Sequence, residues 1–362
     1  MDTPDTTITL DTPDKLVTVD TLETPEKVDT ADTLDTLALA RQDREDQGPW
    51  EVEYSYGEET DLYRHYDSCT KNPGHKNFIP VDTFSIKDLP EGYRHNAIVD
   101  YIKVLSDLTV RVTVSERRPE TVGIKPYPGH PCRGQRRITV GTGWVHRVII
   151  WNDEMGQMCE CKDCRTSPTP QTKFAKISVR TAAYVPYVVS GGDHITCHLF
   201  FNKGTPETCE GVVTLTGMRC WRINIDVDYC YMDHYTHDLG LAQILQNRYQ
   251  EKENLRCNMR AKLLETTNIK CRQPTPDMRP LSVIVSHPHG CSKHVSISRC
   301  HGLHEQPNDE HRHTYSTATC PGSSGAPVDL LNSEQLFIRF HSISRTHVLV
   351  FDKQPSIRIS ST

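Results

Sequence analysis

The side chains best placed to do chemistry lie in Thr319-Cys320-Pro321-Gly322-Ser323-Ser324-Gly325-Ala326-Pro327-Val328. A serine hydroxyl becomes a nucleophile when an adjacent base takes its proton. Gly322 permits a tight turn that aims its own N–H and that of Ser324 at one point, an arrangement that holds a developing oxyanion. An ordinary Gly/Ser loop between strands has the same composition, so the rest of the chain must decide. A second group is Cys159-Glu160-Cys161-Lys162-Asp163-Cys164. Three thiolates plus a ligand from elsewhere suffice for zinc. No second Cys-x2-Cys lies at ribbon spacing, so reduced thiols or a local disulfide are the alternatives. His287, His289, Cys291 and His294 form a third group in a turn made by Pro288 and Gly290. Alternate residues entering a strand point to opposite faces, which argues against joint metal binding there. His301, His304, His311 and His313 fall in a polar loop and read as solvated.

The elements that must position these groups are mostly short strands. Leu108–Val114 alternates cleanly, and Arg137–Val140 and Val145–Trp151 follow, separated by Gly141-Thr142-Gly143. Further strands are expected at Ala175–Arg180, His194–Phe201, Gly211–Leu215 and Arg222–Val227. Ala97, Ile98, Tyr101, Ile102 and Leu105 mark an amphipathic helix over 95–106. Residues 239–264 also read as helix, with one break. Strands return at Leu281–Val285, His294–Ser298, Gln335–Arg339 and His347–Phe351. The order suggests a mainly β fold with two antiparallel β-barrels and a helical connection.

The Ser324 loop resembles the Gly-Asp-Ser-Gly-Gly-Pro loop of trypsin-like serine peptidases, with Ser323 for Asp and Ala326 for Gly. Gly141-Thr142-Gly143-Trp144-Val145 is similar to the Gly-x-Gly strand that precedes the catalytic histidine in that clan. Val179-Arg180-Thr181-Ala182-Ala183-Tyr184 resembles its strand end Thr-Ala-Ala-His, with Tyr184 in the histidine position. Asp228 stands where the family's aspartate is expected; Asp226, Asp233 and Asp238 compete. Ser286-His287-Pro288-His289-Gly290 resembles a turn that opens the second barrel. The chain is also similar to long, Cys-rich intracellular proteins of invertebrates with trypsin-like second halves. The likeness covers roughly 108–352, and residues 1–107 carry no matching motif. It implies chymotrypsin-like barrels at 108–238 and 278–362, a connection at 239–277 and an extension at 49–107. It also implies Ser324 as nucleophile and the Gly322 and Ser324 amides as oxyanion donors.

Tyr184 changes what the likeness implies. A neutral phenol, with a reference pKa of about 10, is a poor proton acceptor. Loss of the base in such a triad can cost about 10⁶ in turnover. The expectation is therefore an impaired peptidase homologue that binds a protein or peptide. The alternative is an active endopeptidase whose base is another histidine: His146, His194, His198, His234 or His237.

Charge bounds the remaining classes. Residues 1–48 carry 13 Asp/Glu against 4 Lys/Arg, a net of −9 in a chain whose total is −6, which leaves +3 for the rest. That tail repeats Asp-Thr, has no aromatic residue and is expected to be disordered. The near-neutral body gives no nucleic-acid footprint. No apolar stretch suits a membrane span. The 14 Cys in a long chain without a signal peptide point to the cytoplasm and to free thiols or metal ligands.

Overall fold

A computed structural model describes residues 51–117, 136–186, 194–225, 228–266, 280–299, 305–306, 309–331, 339–343 and 348–350. The expected acidic tail, Asp226 and much of the 332–350 region lie outside them. The strands begin with β1 (Glu53–Ser55), β2 (Ile79–Pro80), β3 (Thr109–Arg117), β4 (Arg136–Trp151) and β5 (Phe174–Thr181). They continue through β6 (Ile195–Leu199), β7 (Val213–Leu215), β8 (Arg219–Asn224) and β9 (Tyr229–Thr236). The last seven are β10 (Leu281–Ser286), β11 (His294–Arg299), β12 (Glu305–Gln306), β13 (Asp309–Thr314), β14 (Pro327–Leu331), β15 (Arg339–Ile343) and β16 (Val348–Val350). Helices are α1 (Glu58–Asp67), α2 (Asn96–Leu108), α3 (Lys162–Thr166) and α4 (Leu239–Thr266).

The strands form two antiparallel sheets. One has the order β7-β6-β3-β4-β5-β9-β8, with β1 paired to β4; the other runs β12-β13-β16-β15-β14-β10-β11-β2. Among the described residues neither sheet closes on itself, so the coarse expectation of a mainly β fold stands as two sheets. Val110, Val112 and Val114 of β3 alternate into the first core with Ile177, Val179 and Met232. Ile98, Tyr101, Ile102 and Leu105 bring α2 onto β10 and β11 through Val283, Val285 and Val295, forming a second core. Each fully buried aliphatic side chain is worth about 1.5–3 kcal/mol of transfer free energy, so the two cores fix both sheets.

Several expectations need correction. Gly141-Thr142-Gly143 does not separate two strands: β4 runs unbroken from Arg136 to Trp151. The glycines are there for space, because a Cβ on Gly141 would lie 2.4 Å from Val185 and one on Gly143 2.9 Å from the Arg180 carbonyl. The helix from 239 has no break. It is held from outside, with Arg248 bonded to Asp107 at 3.1 Å and the Lys252 ammonium 5.3 Å from the Trp144 ring. Tyr229–Thr236, which the sequence reading left unassigned, is a strand between β5 and β8. The turn-rich 49–94 region also joins the fold. It lends β1 to the first sheet, in register Glu53↔Val140, and β2 to the second, in register Pro80↔His294.

Candidate functional site

The Ser324 loop follows Tyr315–Pro321 and leads into β14. Gly322 and Gly325 have φ of 92° and 90°, in the left-handed region that side chains resist. A Cβ on Gly322 would lie 2.5 Å from the His287 carbonyl, and one on Gly325 2.1 Å from the Thr142 carbonyl. The loop is thus wedged between the turn before β11 and the middle of β4. Thr142 clamps it: its amide donates to the Ser324 carbonyl at 2.8 Å and its hydroxyl donates to the Gly322 carbonyl at 2.7 Å. The same hydroxyl accepts the His287 amide at 3.0 Å, and the Thr181 hydroxyl donates to the Thr142 carbonyl at 2.7 Å. Ser323, in the position compared with Asp, turns inward and donates to the Ser286 hydroxyl at 3.2 Å.

The two amides of the loop converge. Gly322 N–H and Ser324 N–H both donate to the backbone carbonyl of Glu51, at 2.9 and 3.2 Å. That is the distance range at which an amide pair holds an oxyanion. Ser324 is 1% exposed. Glu51 is fastened in turn: its carboxylate pairs with Lys71, whose ammonium also donates to the Thr319 hydroxyl at 3.3 Å. Burial lowers the Lys71 pKa to about 8. Sequence reasoning missed this contact, because the atom involved belongs to the main chain and leaves no signature in residue type.

Asp228 is buried and holds a φ of 46°. Its Oδ1 accepts the backbone N–H of Tyr184 at 3.3 Å. Two of the competing carboxylates, Asp233 and Asp238, are engaged elsewhere. Asp233 accepts from the Ser178 hydroxyl at 2.6 Å and the Trp221 indole at 3.1 Å, and Asp238 caps α4 by accepting the Leu241 amide at 2.9 Å. Tyr184 is half-buried and its ring packs on the first core.

The alternative histidines are dispersed. His146 packs edge-on to Trp144 at 5.2 Å, and His234 Nδ1 faces the Thr216 carbonyl at 2.8 Å. Burial, helped by Arg111, pushes the His198 pKa down to about 4. His194 is exposed at the entry to β6. His237 joins the cysteines: its Nε2 lies 3.2 Å from Cys159 Sγ, 3.8 Å from Cys161 Sγ and 3.4 Å from Cys164 Sγ. The Cys161, Cys164 and Gln171 amides donate to the Cys159, Cys161 and Cys164 sulfurs, each at 3.4 Å.

The sequence group around His287 splits apart, in line with the opposite faces expected of alternate residues. His287 Nδ1 faces the Cys291 carbonyl at 2.9 Å while its ring stacks on Phe201, and His294 Nε2 meets the Tyr66 hydroxyl at 3.2 Å. Of these four, His289 joins a cluster of ligand-type side chains among the described residues, with Cys69, His75 and Cys320. In that set, as in Cys159, Cys161, Cys164 and His237, one ligand atom from each residue lies within 4.8 Å of the others. Both sets could hold a metal ion.

No family model matches the sequence, and no curated protein matches it. Among solved structures the chain is similar to an HtrA-type protease, AlgW, determined with a tripeptide, at 8% identity and a TM-score of 0.33. The match covers 70% of this chain and 60% of that one, so it spans less than two thirds of the protease.

Proposed function

We propose that the chain is a trypsin-like serine peptidase homologue whose hydrolytic site is silenced, and that it acts as a protein-binding module. Ser324 holds the nucleophile position, Asp228 the acid position and Tyr184 the base position. The Gly322 and Ser324 amides are the oxyanion pair. The observation that carries this reading is the Glu51 carbonyl, which accepts from both amides. A substrate carbonyl would have to displace it, and Tyr184 would still offer no proton acceptor near pH 7. The two defects are independent, since one removes the base and the other fills the site that stabilises charge.

The amide pair takes a main-chain carbonyl as its ligand, and the chain supplies its own. Partner binding then falls to other surfaces. β8 ends the first sheet among the described residues; Trp221 and Ile223 along it and Ile225 just after it are 57%, 43% and 40% exposed. An uncovered strand edge with apolar residues suits a partner polypeptide. Cys159, Cys161, Cys164 and His237 bind one structural Zn2+, closing the loop between β4 and β5 onto the start of α4.

A fluorophosphonate probe tests the silenced site. The wild-type chain and Tyr184→His should both remain unlabelled at Ser324, because restoring a base leaves Glu51 in place. Stoichiometric labelling of the wild type, or a new N-terminus at Val52 after incubation, would show a working nucleophile and refute the proposal.

A further inference from the structure

We propose that Cys69, His75, His289 and Cys320 bind a second structural Zn2+ ion, and that this ion locks the segment carrying Glu51 onto the Ser324 loop. The metal site stands on its own geometry; its consequence for Ser324 rests on the silenced-site reading above.

The spacing fits tetrahedral zinc. With Zn–S near 2.3 Å and Zn–N near 2.0–2.1 Å, tetrahedral angles put two sulfurs about 3.8 Å apart and sulfur and nitrogen about 3.5 Å apart. Cys69 Sγ and Cys320 Sγ are 3.7 Å apart, and Cys320 Sγ is 3.5 Å from His75 Nε2. A disulfide would need about 2.05 Å, and both thiols are free. Two thiolates and two imidazoles favour zinc over the hard, oxygen-seeking cations.

The surroundings are those of a ligand set. His289 Nδ1 donates to Glu53 Oε2 at 2.6 Å, which fixes the ring proton there and leaves the Nε2 lone pair free for a metal. His289 is 1% exposed, and its Nε2 has no hydrogen-bond partner among the described residues. The sulfurs accept N–H groups from one residue: the Asn72 amide donates to Cys69 Sγ at 3.4 Å, and its side-chain Nδ2 donates to Cys320 Sγ at 3.1 Å. The Tyr66 ring stacks on His75 with centroids 3.8 Å apart and holds its orientation. Glu53 is fully buried, with Oε1 3.2 Å from His65 Nδ1. A buried carboxylate requires compensating charge, and a cation behind His289 provides it.

The ligands belong to the elements that make the Ser324 contact. Cys69 and His75 flank Lys71, which pairs with Glu51. Glu53 is two residues from Glu51, and Cys320 is two residues before Gly322. The His289 amide donates to the Pro321 carbonyl at 2.5 Å. One ion therefore joins the covering segment, the turn before β11 and the nucleophile loop.

The test uses the purified full-length chain. Elemental analysis should give two Zn2+ per chain in the wild type, one in Cys69→Ser and one in Cys161→Ser. Cysteine alkylation mapped by mass spectrometry keeps the test valid if Cys69→Ser does not fold. In the wild type, Cys69 and Cys320 should be protected until a chelator is added, while exposed Cys257 reacts throughout. Unchanged zinc content in folded Cys69→Ser, a Cys69–Cys320 disulfide, or equal Cys69 and Cys320 reactivity with and without chelator would overturn the site. Ser324 labelled in a chain that holds both ions would refute the silenced-site reading and leave the metal site standing.

Discussion

The two Cys/His clusters differ in how far apart their members lie along the chain. Cys159, Cys161 and Cys164 come from one short loop, and only His237 is distant. Cys69 and Cys320 are 251 residues apart, with His75 near one and His289 near the other. A local cluster closes its own loop. A long-range cluster ties distant parts of the fold together, and this one ties them beside Ser324. The difference teaches that ligand spacing in sequence reveals the staple with the smaller structural reach.

Removing one ligand from each cluster should separate them most strongly. His289→Ala removes a ligand and the partner of the buried Glu53 Oε2, so urea unfolding should show a loss of about 3–5 kcal/mol. Cys161→Ser, in a half-exposed loop, should cost less than half as much. Equal losses would erase the contrast. A smaller effect is expected from Thr142→Val, which removes the clamp without touching either cluster. It strands the Gly322 carbonyl and the His287 amide, for about 1–3 kcal/mol, with zinc content unchanged.

A proton-driven effect calibrates the metal-driven ones. Lys293 is fully buried, and its ammonium donates to the Ser106 carbonyl at 2.6 Å. Burial pushes its pKa down to about 7 from 10.5. Between those values the unfolded chain holds more protons than the folded one, so this group's penalty is full below pH 7 and is relieved as pH rises. Unfolding free energy of the wild type relative to Lys293→Met should climb from pH 7 to 9, by at most about 1.4 kcal/mol per pH unit. A flat difference would contradict it. The smallest effect belongs to the local side: Asp238→Ala removes the α4 cap next to His237 and should cost about 1 kcal/mol, with that zinc retained.

The sequence analysis reached the Ser324 loop because turn glycines and a serine sit within a few residues. It reached Cys159, Cys161 and Cys164 for the same reason. It found α2 and β3 through periodicity and most other strands as short apolar runs, several of which, such as β5 and β10, are buried on nearly every residue. It broke β4 at Gly141 and Gly143 because glycine commonly marks a turn, whereas here it makes room for Val185, Arg180 and the Ser324 carbonyl. It argued against joint metal binding around His289, and the turn does send His287 and His294 to other partners, but it gave no sign that His289 would meet Cys69, His75 and Cys320. It found no role for residues 49–94, since their contribution is a carbonyl oxygen at Glu51, two short strands and two ligands whose partners lie hundreds of residues away.

The central claim is that the Glu51 carbonyl occupies the amide pair of the Ser324 loop. Amide hydrogen exchange at Gly322 and Ser324 in the full-length, zinc-loaded chain tests it most directly. Both amides should exchange as slowly as those of neighbouring β14, because each is hydrogen-bonded inside the fold. Fast exchange at both positions, with β14 still protected, would mean an open pair facing water and would contradict the account.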